Sequence, residues 1–330
     1  MSRQSPNGQV LLRVLSKITC FSTFFLIFAG SMVTSTGSGL AVPDWPLSYG
    51  MLFPPMIGGV LYEHGHRMVA ATVGILMFLL TLSLLKFERR RWVRNLGFAA
   101  MGAVVLQGVL GGITVLFFLP TFVSVGHAVL AQIFFILTII LAYSESKEFA
   151  GKNLGLNKLK SEDWIRWTMI AVFAVYVQLI VGALMRHTGS GLAIPDFPLM
   201  AGRWWPEFNE DMLLRINHWR FDHNLGVVTL GQVLIHFLHR LGAVVIFLIL
   251  LILNKKGFER FKNESMILRT LVLLDILFIL QISLGISTVL TLKVPLIASL
   301  HVLVGAAILG WSVLLFLRSV VFASVDTRRM

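Results

Sequence analysis

A chain of 330 residues with a single cysteine, Cys20, cannot close a disulfide within itself. Cys20 falls inside an apolar run and reads as a small apolar filler rather than a reactive thiol. Charge is also scarce: 13% of residues are Asp, Glu, Lys or Arg, with 16 acids against 28 bases. Positions 35–62 contain no Lys or Arg at all. Low-complexity segments are absent. The net charge of +12 would suit nucleic acid if it were gathered on one surface, but it is not. It is parcelled out between apolar runs, which excludes a nucleic-acid partner and points to membrane topology instead.

What the chain does have is apolar length. Hydrophobic residues make up 56% of it. About 20 apolar residues cross a bilayer, and eight runs qualify: roughly 12–34, 62–86, 96–118, 121–143, 165–186, 233–254, 266–291 and 295–318. The expected fold is therefore an all-α integral membrane protein with eight transmembrane helices. The basic residues sit between runs two and three (Lys86, Arg89, Arg90, Arg91, Arg94), four and five (Lys147, Lys152, Lys158, Lys160, Arg166), and six and seven (Lys255, Lys256, Arg260, Lys262, Arg269). Both tails add Arg3, Arg13, Lys17, Arg318, Arg328 and Arg329. By the positive-inside rule both termini and these loops are cytoplasmic, and 35–62 is outer. The basic, then apolar N-terminus is like a signal peptide, but a full counterpart in the second half argues for a retained helix.

That counterpart belongs to an internal duplication. The stretch Thr36-Gly37-Ser38-Gly39-Leu40-Ala41-Val42-Pro43-Asp44-Trp45-Pro46-Leu47 returns as Thr188-Gly189-Ser190-Gly191-Leu192-Ala193-Ile194-Pro195-Asp196-Phe197-Pro198-Leu199. Leu106-Gln107 through Gly111 returns as Leu280-Gln281 through Gly285, and His66-Arg67 as His239-Arg240. His127 returns as His301, 174 residues on. The expected organisation is two tandem pseudo-symmetric four-helix bundles, 1–143 and 165–330, joined by a polar cytoplasmic linker, 144–164. Four helices return the chain to its starting side, so the halves share one orientation. The Gly- and Pro-rich loops after runs one and five form outer lids over the histidines. The second lid is extended over 202–229, with Trp204, Trp205, His218, Trp219, Arg220, Asp222 and His223, and suits either the membrane interface or a partner.

Ionisable side chains inside a membrane span cost roughly 2.5–3.5 kcal/mol on insertion scales and usually serve function. His66, His127, His239 and His301 fall at matched depths near the outer ends of their runs. Two imidazoles at one depth on facing helices suit the two faces of a haem iron. Buried histidines satisfied by hydrogen bonds are the plain alternative. Zinc or copper would want further ligands; Glu63 offers one in the first half, but His236 stands at that position in the second. Arg67 and Arg240 suit either haem propionates or a structural partner. His64, His187, His218 and His223 read as exposed or hydrogen-bonded, and Asp275 as bonded to a local hydroxyl or across a subunit contact. Glu63, one helical turn before His66, is the candidate catalytic acid/base, the alternative being a partner for Arg67.

The duplicated halves, Glu63-x-x-His66-Arg67, the Thr-Gly-Ser-Gly loops and the four histidines resemble the haem A synthase family over nearly the whole chain. The resemblance implies an enzyme of cytochrome oxidase biogenesis. It would oxidise a methyl group of haem O to a formyl group by successive hydroxylations, giving haem A. It implies that His66 and His127 hold the substrate haem O, with Glu63 near its reacting edge, and that His239 and His301 ligate a cofactor haem b. Many members carry a cysteine pair in the first outer loop, where this chain has Val42 and Ser48. The alternative function is a dihaem b-type membrane electron-transfer protein; Glu63 discriminates, since electron transfer needs no carboxylate there. Expected partners are haem O, haem O synthase, cytochrome oxidase assembly factors, membrane lipid and further copies of the chain. The expected location is a bacterial or archaeal cytoplasmic membrane, with the haem sites toward the outer face.

Overall fold

The computed structural model describes residues 6–150 and 163–326. Most of the expected linker therefore lies outside the described residues, as do Arg3, Lys152, Lys158, Lys160, Arg328 and Arg329. Among the described residues all regular structure is helical. The helices are α1 (Pro6–Ser35), α2 (Gly59–Phe87), α3 (Arg91–Leu116), α4 (Thr121–Ser144), α5 (Asp163–His187), α6 (Glu210–Asp222), α7 (Leu230–Arg260), α8 (Ser265–Leu290) and α9 (Pro295–Asp326). All but α6 are long and apolar enough to cross a membrane, and each covers one of the eight runs. In hydrocarbon the backbone must satisfy itself, which a helix does. Buried hydroxyls follow the same rule: Thr19, Thr23, Thr81 and Thr270 each bond the carbonyl four residues back.

The helices pack in two rings. In the first, α1 packs on α2, α2 on α3, α3 on α4 and α4 on α1. In the second, α5 packs on α7, α7 on α8, α8 on α9 and α9 on α5. The rings meet where α9 packs on α1 and α4, and α4 on α5. Gly310 permits that approach, since a Cβ there would lie 3.1 Å from Ile139 Cδ1 and 3.3 Å from Phe135 Cε1. The lipid-facing sides keep large apolar residues exposed, among them Phe21, Ile75, Phe98, Phe173, Phe247 and Ile279.

The sequence reading did not place α6. Asn209 caps it, accepting from Met212 N at 2.9 Å, and Glu210 and Asp211 complement its N-terminal dipole. Met212 and Ile216 pack against Ala193, Ile194, Val233 and Phe237, so α6 is folded down on the second lid. Asp275 also gains its account: Asn254 Nδ2 donates to its Oδ1 at 2.9 Å across α7 and α8, an amide rather than the hydroxyl or subunit contact expected.

At the opposite end from the lids, Arg90 bridges Glu88 and Glu145, the residues that end α2 and α4 (both 2.7 Å). Burial pushes the Glu145 carboxyl up to about 7, and its hydrogen bond with Glu88 adds to the rise. Glu88 is drawn down to about 2, Arg90's hydrogen bonds outweighing burial. A carboxyl whose folded value exceeds its unfolded one stabilises the fold while protonated, and that contribution fades as pH rises through the folded value. Glu145 therefore makes the wild type less stable from about pH 5 to about pH 8. Glu145→Gln is expected to flatten melting temperature against pH across that window; an unchanged slope would refute the assignment.

Candidate functional site

The four histidines occupy opposite corners of the two rings. His66 on α2 faces the corner that carries His127 on α4, and His239 on α7 the corner that carries His301 on α9. Neither α2 with α4 nor α7 with α9 is a packed helix pair. The His239 and His301 ring centroids are 6.2 Å apart, with planes inclined at 69°. His66 lies within electrostatic range of His127. All four side chains are half-buried, keeping accessible surface although they sit among helices.

A glycine on a neighbouring helix makes room for each ring. A Cβ at Gly30 of α1 would lie 2.9 Å from His66 Cε1, and one at Gly111 of α3 would lie 3.5 Å from His127 Cε1. In the second ring, a Cβ at Gly182 of α5 would lie 3.2 Å from His239 Cε1, and one at Gly285 of α8 would lie 3.0 Å from His301 Cε1. Gly30 and Gly182 were missed in the sequence. The 152-residue offset of the outer loops pairs them and could have flagged them.

The two pairs differ in how their outer nitrogens are held. His301 Nδ1 donates to the Gln281 carbonyl at 3.1 Å, which leaves Nε2 as the lone-pair nitrogen. The Gln178 amide lies 3.2 Å from His239 Nδ1 and bonds the His239 carbonyl at 2.8 Å. Among the described residues, His66 Nδ1 and His127 Nδ1 are buried without a hydrogen-bond partner. Gln107, the counterpart of Gln281, donates its side-chain amide to the His127 carbonyl at 3.0 Å, and its own backbone faces the His127 ring as that of Gln281 faces His301. The counterpart of Gln178 is Leu26.

The His-Arg motifs tie the lids down. Arg67 Nη1 donates to the Asp44 and Leu47 carbonyls (both 2.7 Å), and its Nη2 pairs with Glu63 Oε1 at 2.6 Å. Glu63 is 4% exposed, and its Oε2 accepts from Val42 N at 2.8 Å. In the second half His236 takes the same place. Its Nδ1 accepts from Ile194 N at 3.2 Å, which puts the ring proton on Nε2, and Arg240 Nε lies 3.2 Å from that nitrogen. Arg240 also donates to the carbonyls of Leu199, Ile194 and Asp196. Of the two roles open to these arginines, the structure gives each a structural partner. Glu63 and His236 are two solutions to one task, accepting the lid's N–H beside the arginine.

The lids themselves match. Asp44 accepts from Tyr49 N and Gly50 N, as Asp196 does from Ala201 N and Gly202 N. The Gly50 N–H, then that of Tyr49, hold the Asp44 carboxyl below its usual range. Trp45 lies on α3 beside the first site, since a Cβ at Gly112 would lie 2.8 Å from its Cδ2. Ser48, at one of the positions where many relatives have cysteine, bonds His64 Nδ1 at 2.8 Å. Of the two readings open to His64, the structure shows the hydrogen-bonded one, with the ring buried. His218 and His223 are exposed as expected, and His187 is half-buried.

The sequence pattern of the cytochrome oxidase assembly protein family, COX15-CtaA, matches residues 59–313. The chain belongs to that family. Among similar proteins is one named heme A synthase from Lysinibacillus sphaericus (strain C3-41), 29% identical over 305 residues, covering 89% of this chain and 91% of that one. Another of the same name, from Bacillus cereus (strain 03BB102), is 28% identical over 324 residues, 96% of each chain. A third, from Alkalihalophilus pseudofirmus, is 27% identical over 302 residues. The matched residues include all four histidines and reach every helix of the two rings except α1.

Proposed function

We propose that this integral membrane protein of a bacterial membrane is a haem A synthase, oxidising a methyl group of haem O to a formyl group. The observation that carries this reading is the pair of opposed imidazoles His239 and His301, repeated in sequence as His66 and His127, in a chain similar, nearly end to end, to proteins of that name. Metal–imidazole bonds of about 2 Å on either side of one ion put ring centroids about 6 Å apart. The 6.2 Å between His239 and His301 fits that arrangement, with Gly182 and Gly285 beside the rings and the Gln281 amide 3.5 Å from His301 Nε2, where a ligand would displace it. Among the described residues no three His, Cys, Asp or Glu gather as a metal cluster, so a two-imidazole site is the fit these residues support.

We assign the substrate haem O to His66 and His127 in the half 1–143, and the resident haem b to His239 and His301 in the half 165–330. In the second pair Gln281 orients the His301 ring in advance through its carbonyl, as suits a cofactor that stays. In the first pair His66 Nδ1 is unpartnered and Leu26 stands in place of Gln178, which suits a group that must enter and leave. Haem b, when bound, supplies one-electron chemistry. Arg67 and Glu63 hold the 36–58 loop over the first site, and Trp45 helps exclude water. The Glu63 carboxylate, paired with Arg67, is the group placed to accept protons as the methyl becomes hydroxymethyl and then formyl. Purified protein supplied with haem O and reductant in air should yield haem A or its hydroxymethyl precursor on pigment extraction. Recovery of unaltered haem alone would favour the dihaem electron carrier.

The assigned orientation puts both termini in the cytoplasm and both histidine pairs toward the outer face. Position 42 is a poor reporter because Val42 is fully buried, whereas Phe53 is 77% exposed. Phe53→Cys in a Cys20→Ser background should react with an impermeant thiol reagent added outside intact cells. Labelling only after the inner face is opened would invert the topology.

A further inference from the structure

The duplication breaks at two positions beside the second histidine pair, and both breaks introduce a cation. The first is Arg186 on α5. It lies one turn beyond Gly182, on the same helix face as the glycine that abuts His239. Its Nη2 donates to Ser31 O and Ser35 Oγ of α1, both at 2.5 Å. Those serines are bonded to Ser299, two residues before His301 on α9. Arg186 is therefore bracketed between the helices that carry His239 and His301. The 152-residue offset gives its first-half counterpart as Thr34.

The second break is Lys293, in the turn between α8 and α9. Leu292 and Lys293 have φ of 54° and 65°, and Phe118 and Leu119 adopt the same left-handed turn between α3 and α4, at 56° and 57°. Leu119 packs on Gly39, where a Cβ would lie 3.3 Å from its Cδ1; Lys293 packs on Gly191, where a Cβ would lie 3.4 Å from its Cδ. Backbone and packing are thus repeated while the side chain changes from apolar to cationic. Burial, then the charges of Arg220 and Arg186, hold the Lys293 ammonium below its usual range, so the two cations lie near one another. Neither Arg186 nor Lys293 has an acidic partner among the described residues. Arg67, Arg240 and Arg220, the other arginines near the pairs, are spent on lid carbonyls. An uncompensated cation at this depth is costly unless an anion arrives with a ligand.

We infer that Arg186 and Lys293 form a carboxylate-binding edge of the second site, taking the propionates of the tetrapyrrole held between His239 and His301. This rests on the haem b assignment above. It also gives that assignment a physical basis: the same scaffold grips its ligand by charge in the half that keeps it and lacks that grip, with Thr34 and Leu119, in the half that lets it go.

The test exchanges the two cations for the residues the other half carries, Arg186→Thr with Lys293→Leu. Wild type and variant are produced in a host fed either protohaem or its dimethyl ester, and resident haem per protein is measured after purification. The variant should retain protohaem about ten- to a hundredfold less firmly while holding the ester as wild type does, because charge-assisted bonds of this kind are worth that factor. A wild-type preference for the free acid in the variant would overturn the inference, as would equal loss of acid and ester, which marks a folding defect. A His301→Ala control separates the two levels. If its pigment equals wild type, the haem b assignment fails and this inference with it; if its pigment is lost while the double variant keeps the acid preference, this inference alone fails.

Discussion

Replacing His239 or His301 with alanine is expected to remove the resident pigment and to lower the melting temperature together. A ligand bound only by the native state stabilises it by about 4 kcal/mol at a thousandfold excess over its Kd. For the second pair the loss should approach that figure, since Gln281 holds the His301 ring in place before the ligand arrives. His66→Ala or His127→Ala should behave differently. The resident haem and melting temperature remain, while conversion of haem O falls to background because the substrate loses one face of its iron ligation. Absorbance spectra, thermal melts and product extraction on the same four variants distinguish the outcomes. Equal pigment loss from both pairs would mean two permanent haems, and the electron-carrier reading would stand instead.

Glu63→Gln is expected to give the largest kinetic loss without loss of structure. The amide oxygen can still accept from Val42 N, and the lid remains anchored by Arg67 on the Asp44 and Leu47 carbonyls. What disappears is the carboxylate, and acid–base catalysis is typically worth 10²–10⁴-fold, so turnover should drop by roughly that factor. Glu63→His provides a control built into the molecule, because His236 already performs the lid-holding task in the second half. If Glu63→His restores stability but not turnover, the carboxylate does chemistry. If either variant converts haem O at near wild-type rate, Glu63 serves only to hold the loop.

The lid network shows where sequence reasoning reached its limit. Glu63 and Arg67 stand four apart on one helix, so their pairing was among the alternatives the spacing allowed. That both also bind the loop from Val42 to Leu47 depends on how that loop turns back. His64 illustrates the same limit. Beside His66 in the chain it reads as a polar outer residue, yet it is buried against Ser48 because the loop covers it. The extension 202–229 read, from its tryptophans, as suited to the membrane interface or a partner; the Asn209 cap with two following acids was the missed helix signal.

The eight spans and the four histidines were determined by the sequence itself. Apolar runs of bilayer length admit no other structure in hydrocarbon, and the duplicated motifs pair each His-Arg with one later histidine. Only the tertiary structure decided which helices stand opposite. Side chains from α7 and α9 converge to 6.2 Å because α5 and α8 pack between those helices and present glycine at the rings. It likewise decided that Arg186, distant in sequence from Ser299, stands beside the second pair. Periodicity and hydropathy are local properties of a chain; ring closure and the choice of electrostatic neighbours follow from packing between segments more than a hundred residues apart.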